Sequence, residues 1–88
     1  MMYRILLKDA EEKFLDKLDQ ETRARIVKKL EDLKNDPFPR GYVKVSNTEP
    51  PAYRVRIGKY RALYYVFKEE LLITVAKIDT RSGFYDNI

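Results

Sequence analysis

The chain has 88 residues, 44% hydrophobic and 36% charged, with a formal net charge of +4. This composition fits a single domain over residues 1–88, near the lower limit at which a chain buries a core unaided. With no Cys and no His, disulfide frameworks, thiol nucleophiles, zinc fingers, haem ligation and imidazole chemistry are excluded, leaving Arg, Lys, Tyr and carboxylates for any catalysis. No apolar run approaches the roughly 20 residues of a membrane span and no secretory h-region opens the chain, so a cytoplasmic protein with no membrane partner is expected. Residues 1–36 carry nine Lys/Arg against nine Asp/Glu, and residues 37–88 carry nine against five. The whole basic excess lies in the second half, an asymmetry that points toward a polyanionic partner.

Tyr3 to Leu7 is a β-prone run whose central Ile-Leu-Leu suits a covered strand. Asp9 is expected to N-cap a helix, with Glu12 completing a variant capping box and Ala10, Phe14, Leu15 and Leu18 forming the apolar stripe. A short turn at 18–21, with Asp19 as N-cap, leads to a second helix whose stripe is Ile26, Val27, Leu30 and Leu33. That helix must stop near Asn35-Asp36, because Pro37 biases Asp36 out of the helical region. The two form a helical hairpin. Residues 37–52, with four prolines and one Gly, read as a long loop with room for a brief strand at 42–45.

The last third reads as antiparallel sheet. Tyr53 to Ile57 alternates, Gly58-Lys59 makes a two-residue hairpin loop, Tyr60 to Phe67 is an aromatic-rich strand, and Leu71 to Ile78 is a final apolar strand. A tail beginning at Asp79 follows. The expected fold is therefore α+β, in the order β-α-α-β-β-β, with the helical hairpin packed beside a mostly antiparallel twisted sheet.

The two-residue loop sets a register: Ile57 opposite Tyr60, Arg56 opposite Arg61, Val55 opposite Ala62 and Arg54 opposite Leu63. Period two then gathers Arg54, Arg56 and Arg61 on one face. Like charges directly opposite cost up to about 1 kcal/mol, which folding alone does not motivate. An anion between them accounts for it, since guanidinium offers planar bidentate donors to phosphate and stays charged. The competing reading is a set of ordinary solvent-side arginines whose stems cover apolar surface. Five of the seven tyrosines fall at or after Tyr53. Tyr60 and Tyr64 alternate with Val66 as core residues would, whereas Tyr85 sits in a polar tail and is a better candidate for base stacking. Asp79 and Asp86 flank Arg81, but their spacing matches no metal-ligand motif. They read as surface charge or partners of Arg81, and no metal or cofactor is expected.

The element order and the run Tyr53-Arg54-Val55-Arg56-Ile57-Gly58-Lys59-Tyr60-Arg61-Ala62-Leu63-Tyr64 resemble the RelE/ParE toxin superfamily, whose members show a Y-R-x-R-x-G-x-Y-R-x-x-Y stretch across the central hairpin. The resemblance implies a RelE-like domain and, for the RelE branch, a toxin that cuts mRNA in the ribosomal A site and is held inactive by a cognate antitoxin. Carried over, it implies that Arg54, Arg56, Lys59 and Arg61 bind RNA phosphate. It also implies catalytic roles for Arg56, Arg61, Arg81 and Tyr85: Arg61 clamps phosphate, Arg81 protonates the leaving oxygen and Tyr85 orients the scissile nucleotide. The ribose 2′-hydroxyl would attack without metal.

This chain departs from the RelE type in having arginines at positions 54 and 56 where lysines are usual. A lysine can be desolvated and accept a proton; a guanidinium does not. The proton acceptor is left among Tyr85, ribosomal groups and pure electrostatic positioning. Two other readings stand beside the nuclease: a ParE-like, non-enzymatic DNA gyrase poison, and an inactive RNA- or antitoxin-binding module. The expected partners are a RelB-like acidic antitoxin that wraps the domain, the ribosome and mRNA.

Overall fold

The computed structural model describes residues 2–45 and 47–80. Strand β1 (Arg4–Leu7) is followed by helices α1 (Asp9–Asp16) and α2 (Gln20–Asn35), then by β2 (Val43–Val45), β3 (Ala52–Ile57), β4 (Tyr60–Phe67) and β5 (Leu72–Thr80). One five-stranded sheet runs β1-β5-β4-β3-β2. The β1–β5 pair is parallel; the β5–β4, β4–β3 and β3–β2 pairs are antiparallel. The architecture is the expected α+β arrangement of a helical hairpin beside a mostly antiparallel sheet, extended by the short β2 within the 37–52 loop.

The helices cover one face of the sheet. Leu15 of α1 and Ile26, Leu30 and Leu33 of α2 form a core with Val55, Ile57, Ala62, Tyr64, Val66, Ile73, Val75 and Ile78. Two stripe assignments need correction. Ala10 is exposed, and the inward line of α1 runs Glu11, Phe14 and Leu15 and continues to Leu18 just past the helix, with Glu11 only 8% exposed. Spacing of three and four residues keeps this line on one side, and Ala10, about 40° from Phe14 but about 100° from Glu11, falls at its outer margin. Val27 likewise sits one position beyond Ile26 and is exposed. Asp9 is not the N-cap of α1. Lys8 is extended there and its carbonyl accepts from the amides of Glu11 and Glu12, so Asp9 lies inside the first turn, where its charge suits the helix dipole. Asp19 does cap α2: its Oδ2 accepts from the Thr22 amide at 3.0 Å. Hydrogen bonding from Thr22 holds that carboxyl below the ordinary value of 3.8.

The segment after α2 is pinned by aromatic side chains. The Tyr64 hydroxyl donates to the buried Pro37 carbonyl at 2.6 Å, and Phe38 packs edge-on against Tyr53 with ring centroids 5.0 Å apart. Burial is the main cause that pushes the Tyr64 phenol well above its ordinary range. This hydroxyl is therefore a structural donor at all working pH. The cluster anchors the approach to β2 and so fixes the edge of the sheet next to β3.

Candidate nucleic-acid interface

The β3–β4 hairpin turns through Gly58 and Lys59. Gly58 has φ +61° and Lys59 has no positive φ, the pattern of a type II′ turn with glycine at its first central position. The resulting register is the one expected from the loop length: Ile57 faces Tyr60, Arg56 faces Arg61, Val55 faces Ala62 and Arg54 faces Leu63. Because successive side chains alternate between faces, Val55, Ile57, Ala62 and Tyr64 enter the core while Arg54, Arg56 and Arg61 emerge on the face that the helices leave uncovered.

On that open face Arg56 is exposed, and Arg54 and Arg61 are half-buried. The Nε of Arg54 is buried and has no hydrogen-bond partner among the described residues. Lys59 stands apart from the three arginines. Its ammonium lies 5.9 Å from the Tyr60 ring centroid, and that ring meets Phe14 of α1 at 6.0 Å on the helix side. Arg81, Tyr85 and Asp86 lie outside the described residues.

Most of the tyrosines are packing residues. Tyr53 and Tyr64 stack in the cluster with Phe38 and Tyr42, and Tyr60 packs on Phe14. Tyr65 differs: it lies in register with Ala52 and Thr74, on the same face as the arginines.

Two further residues reach this face through an irregularity of β5. Leu63 pairs with Lys77 but Tyr64 pairs with Val75, so Ala76 is an extra, bulged residue. The bulge shifts the alternation by one: Ile73 and Val75 enter the core, then Ile78 does, and Lys77 and Asp79 are turned outward. Lys77 then lines up with Leu63 and Arg54, and Asp79 with Arg61 and Arg56. The tail expected from Asp79 onward is therefore corrected: β5 continues through Thr80. The signal in the sequence is the spacing of the apolar residues 73, 75 and 78, which breaks strict alternation once.

The open face is thus a basic, partly apolar platform: Arg54, Arg56, Arg61 and Lys77 ride above Leu6, Val43, Leu63 and Tyr65, with Leu6 54% and Val43 43% exposed. Guanidinium donors beside exposed apolar and aromatic surface can hold phosphates and support flat bases. Among the described residues, no three His, Cys, Asp or Glu side chains gather as a metal site, and no helix is long and apolar enough to cross a membrane.

Comparison with known proteins agrees with this architecture. The archaeal RelE of the RelE-RelB complex from Pyrococcus horikoshii OT3 superposes with a TM-score of 0.82 at 28% identity, over 92% of this chain and 97% of that one. The toxin-antitoxin complex RelBE2 of Mycobacterium tuberculosis contains a chain of the same fold, with a TM-score of 0.78 at 23% identity over 92% of this chain and 100% of that one. In sequence, a Methanocaldococcus jannaschii protein named RelE1 is 37% identical over 60 residues, 66% of this chain and 67% of that protein. The fold is accordingly that of the RelE toxins. Residues 5–84 match the model of the ParE toxin of type II toxin-antitoxin systems, and the chain belongs to that family, on the RelE side of the RelE/ParE superfamily.

Proposed function

We propose that this toxin is an endoribonuclease that enters the ribosomal A site and cleaves mRNA there, arresting translation. The observation that carries this reading is Arg56 held directly opposite Arg61 on an open sheet face, with Arg54 on the same face. Such an arrangement costs folding energy and is relieved by a bound phosphate. In the reaction, Arg54, Arg56 and Arg61 bind the scissile phosphodiester and neutralise the charge that grows on its oxygens. The ribose 2′-hydroxyl attacks phosphorus, the bond to the 5′-oxygen breaks, and a 2′,3′-cyclic phosphate forms without a metal ion. Arg81 supplies the proton to the leaving oxygen and Tyr85 orients the nucleotide, as the family resemblance implies. Lys59, at the hairpin tip, adds positive charge along the RNA path.

The cognate partner is a RelB-like, acidic, partly helical antitoxin. The RelE of P. horikoshii was crystallised with RelB, and a basic face with exposed Leu6 and Val43 suits a charged amphipathic chain that folds as it wraps around the domain. All of these interactions take place in the cytoplasm.

Primer extension on a defined mRNA in a purified translation system, with and without ribosomes, tests the reading. Cuts at A-site codons that require ribosomes and are lost in Arg61→Ala are expected. Intact mRNA together with accumulated DNA cleavage complexes would replace this reading with gyrase poisoning. Intact mRNA with no effect on growth would leave a binding module.

A further inference from the structure

Granting the nuclease reading, one chemical role is unfilled: a group that accepts the 2′-hydroxyl proton. None of the three arginines can do so, because guanidinium stays protonated at all working pH. The open face carries one carboxylate among the described residues. Asp79 lies directly across from Arg61, in the same row as Arg56, and directly opposed residues stand about 4.5–5.5 Å apart at Cα. It makes no ion pair among the described residues. Its Oδ1 accepts from the Thr80 amide at 2.7 Å, which orients the carboxylate.

The placement of Asp79 depends on the bulge at Ala76. Strict alternation from Val75 would have put residues 77 and 79 in the core; the extra residue turns them onto the arginine face instead. Bulges of this kind are concentrated beside active sites, where they re-aim a side chain. The groups facing Asp79 are Arg61 from β4, Arg56 from β3 and Lys77 from its own strand. β1 ends opposite Val75 and does not reach it. Lys77 and Tyr65 share the face but lie in other rows, aligned with Arg54 and Ala52.

We infer that Asp79 is the general base of the cleavage reaction. A phosphate clamped by Arg61 and Arg56 brings its neighbouring ribose alongside the Asp79 row. The 2′-O–H bond breaks as its proton passes to the Asp79 carboxylate, the 2′-oxygen bonds to phosphorus, and the phosphorus–5′-oxygen bond breaks, the leaving oxygen taking the proton that Arg81 supplies and later regains from water. The protonated Asp79 then returns its proton to water. The bulge thereby lets a chain with arginines at positions 54 and 56 keep a proton acceptor within its phosphate clamp.

The test pairs a rate with an affinity. Single-turnover cleavage is measured on ribosomes programmed with a defined mRNA, using the parent chain, Asp79→Asn and Asp79→Glu. Binding is measured on the same ribosomes carrying mRNA that is 2′-O-methylated over the A-site codon and so cannot react. Removing a general base slows cleavage by roughly 100-fold or more, so Asp79→Asn is expected to fall by at least that factor while binding as well as the parent or tighter, since a negative charge beside phosphate is gone. Asp79→Glu is expected to recover part of the rate. An Asn variant that cleaves as fast as the parent, or that loses rate and affinity in the same proportion, overturns the inference and leaves the nuclease reading standing. A parent that leaves ribosome-bound mRNA intact overturns both.

Discussion

Replacing Arg56 with Gln keeps the stem that covers the sheet and removes one of two facing charges. Cross-strand pairs contribute roughly 0.2–1 kcal/mol, and like charges directly opposite are unfavourable on that scale. Arg56 is exposed, which screens it, so relief of about 0.5 kcal/mol is expected. For a domain of this size 1 kcal/mol moves the melting midpoint by about 4–8 °C, which makes the expected rise about 2–4 °C. Thermal melts followed by circular dichroism at low salt and at ~1 M KCl separate repulsion from other effects, because the screening length falls to about 3 Å at the higher concentration and the gain must shrink with it. Lys44→Gln is the control: Lys44 is exposed on β2 and faces Tyr53 rather than a charge, so no gain is expected. The same Arg56→Gln substitution removes a phosphate contact and is expected to lower the salt slope of single-stranded RNA binding by about 0.7. A variant that melts at or below the parent temperature in low salt, or whose gain survives ~1 M KCl, would refute the argument that this face carries a repulsion awaiting an anion.

Tyr64→Phe removes the donor to the Pro37 carbonyl and leaves a buried acceptor unpaired, so urea unfolding should show a loss of about 1–3 kcal/mol with an unchanged slope. Asp19→Ala removes the cap of α2. The folded carboxyl titrates below 3.8, so the cap contributes at neutral pH and is lost as pH falls through that lower value; unfolding midpoints of parent and variant should differ at neutral pH and converge in acid. Deleting Ala76 is expected to leave a regular ladder in which Ile78, 3% exposed, still points inward and Asp79 outward, because the residue removed is the unpaired one. Turning one isoleucine out to solvent costs about 1.5–3 kcal/mol, and a loss of that size in urea unfolding of the deletion variant would show that Ala76 is not the extra residue.

The hairpin register is legible in the sequence because a two-residue loop leaves only one way to pair its flanking residues, and that register alone places Arg56 against Arg61. The end of α2 is legible for a similarly local reason, the proline at position 37. The start of α1 is not: Asp9 has the side chain of a cap, but Lys8 supplies the first accepting carbonyl, and side-chain type does not reveal which backbone group does so. Nor does periodicity reveal that Glu11 rather than Ala10 is the buried residue of the first turn of α1, because a glutamate is not counted as apolar.

Information of the legible kind is local: which segments coil or extend, where they stop, and which residues of one hairpin share a face. Loop geometry, proline sterics and period-two alternation act between neighbours and can be read from neighbours. The second half of the site comes from packing instead. Asp79 joins the arginine row because β5 pairs with β4 through a bulge, and a bulge forms where a strand must satisfy two partners at once: Ile73, Val75 and Ile78 seek the helices, while the ladder to Leu63 and Tyr64 admits one extra residue. That compromise belongs to the packed sheet and to no single strand.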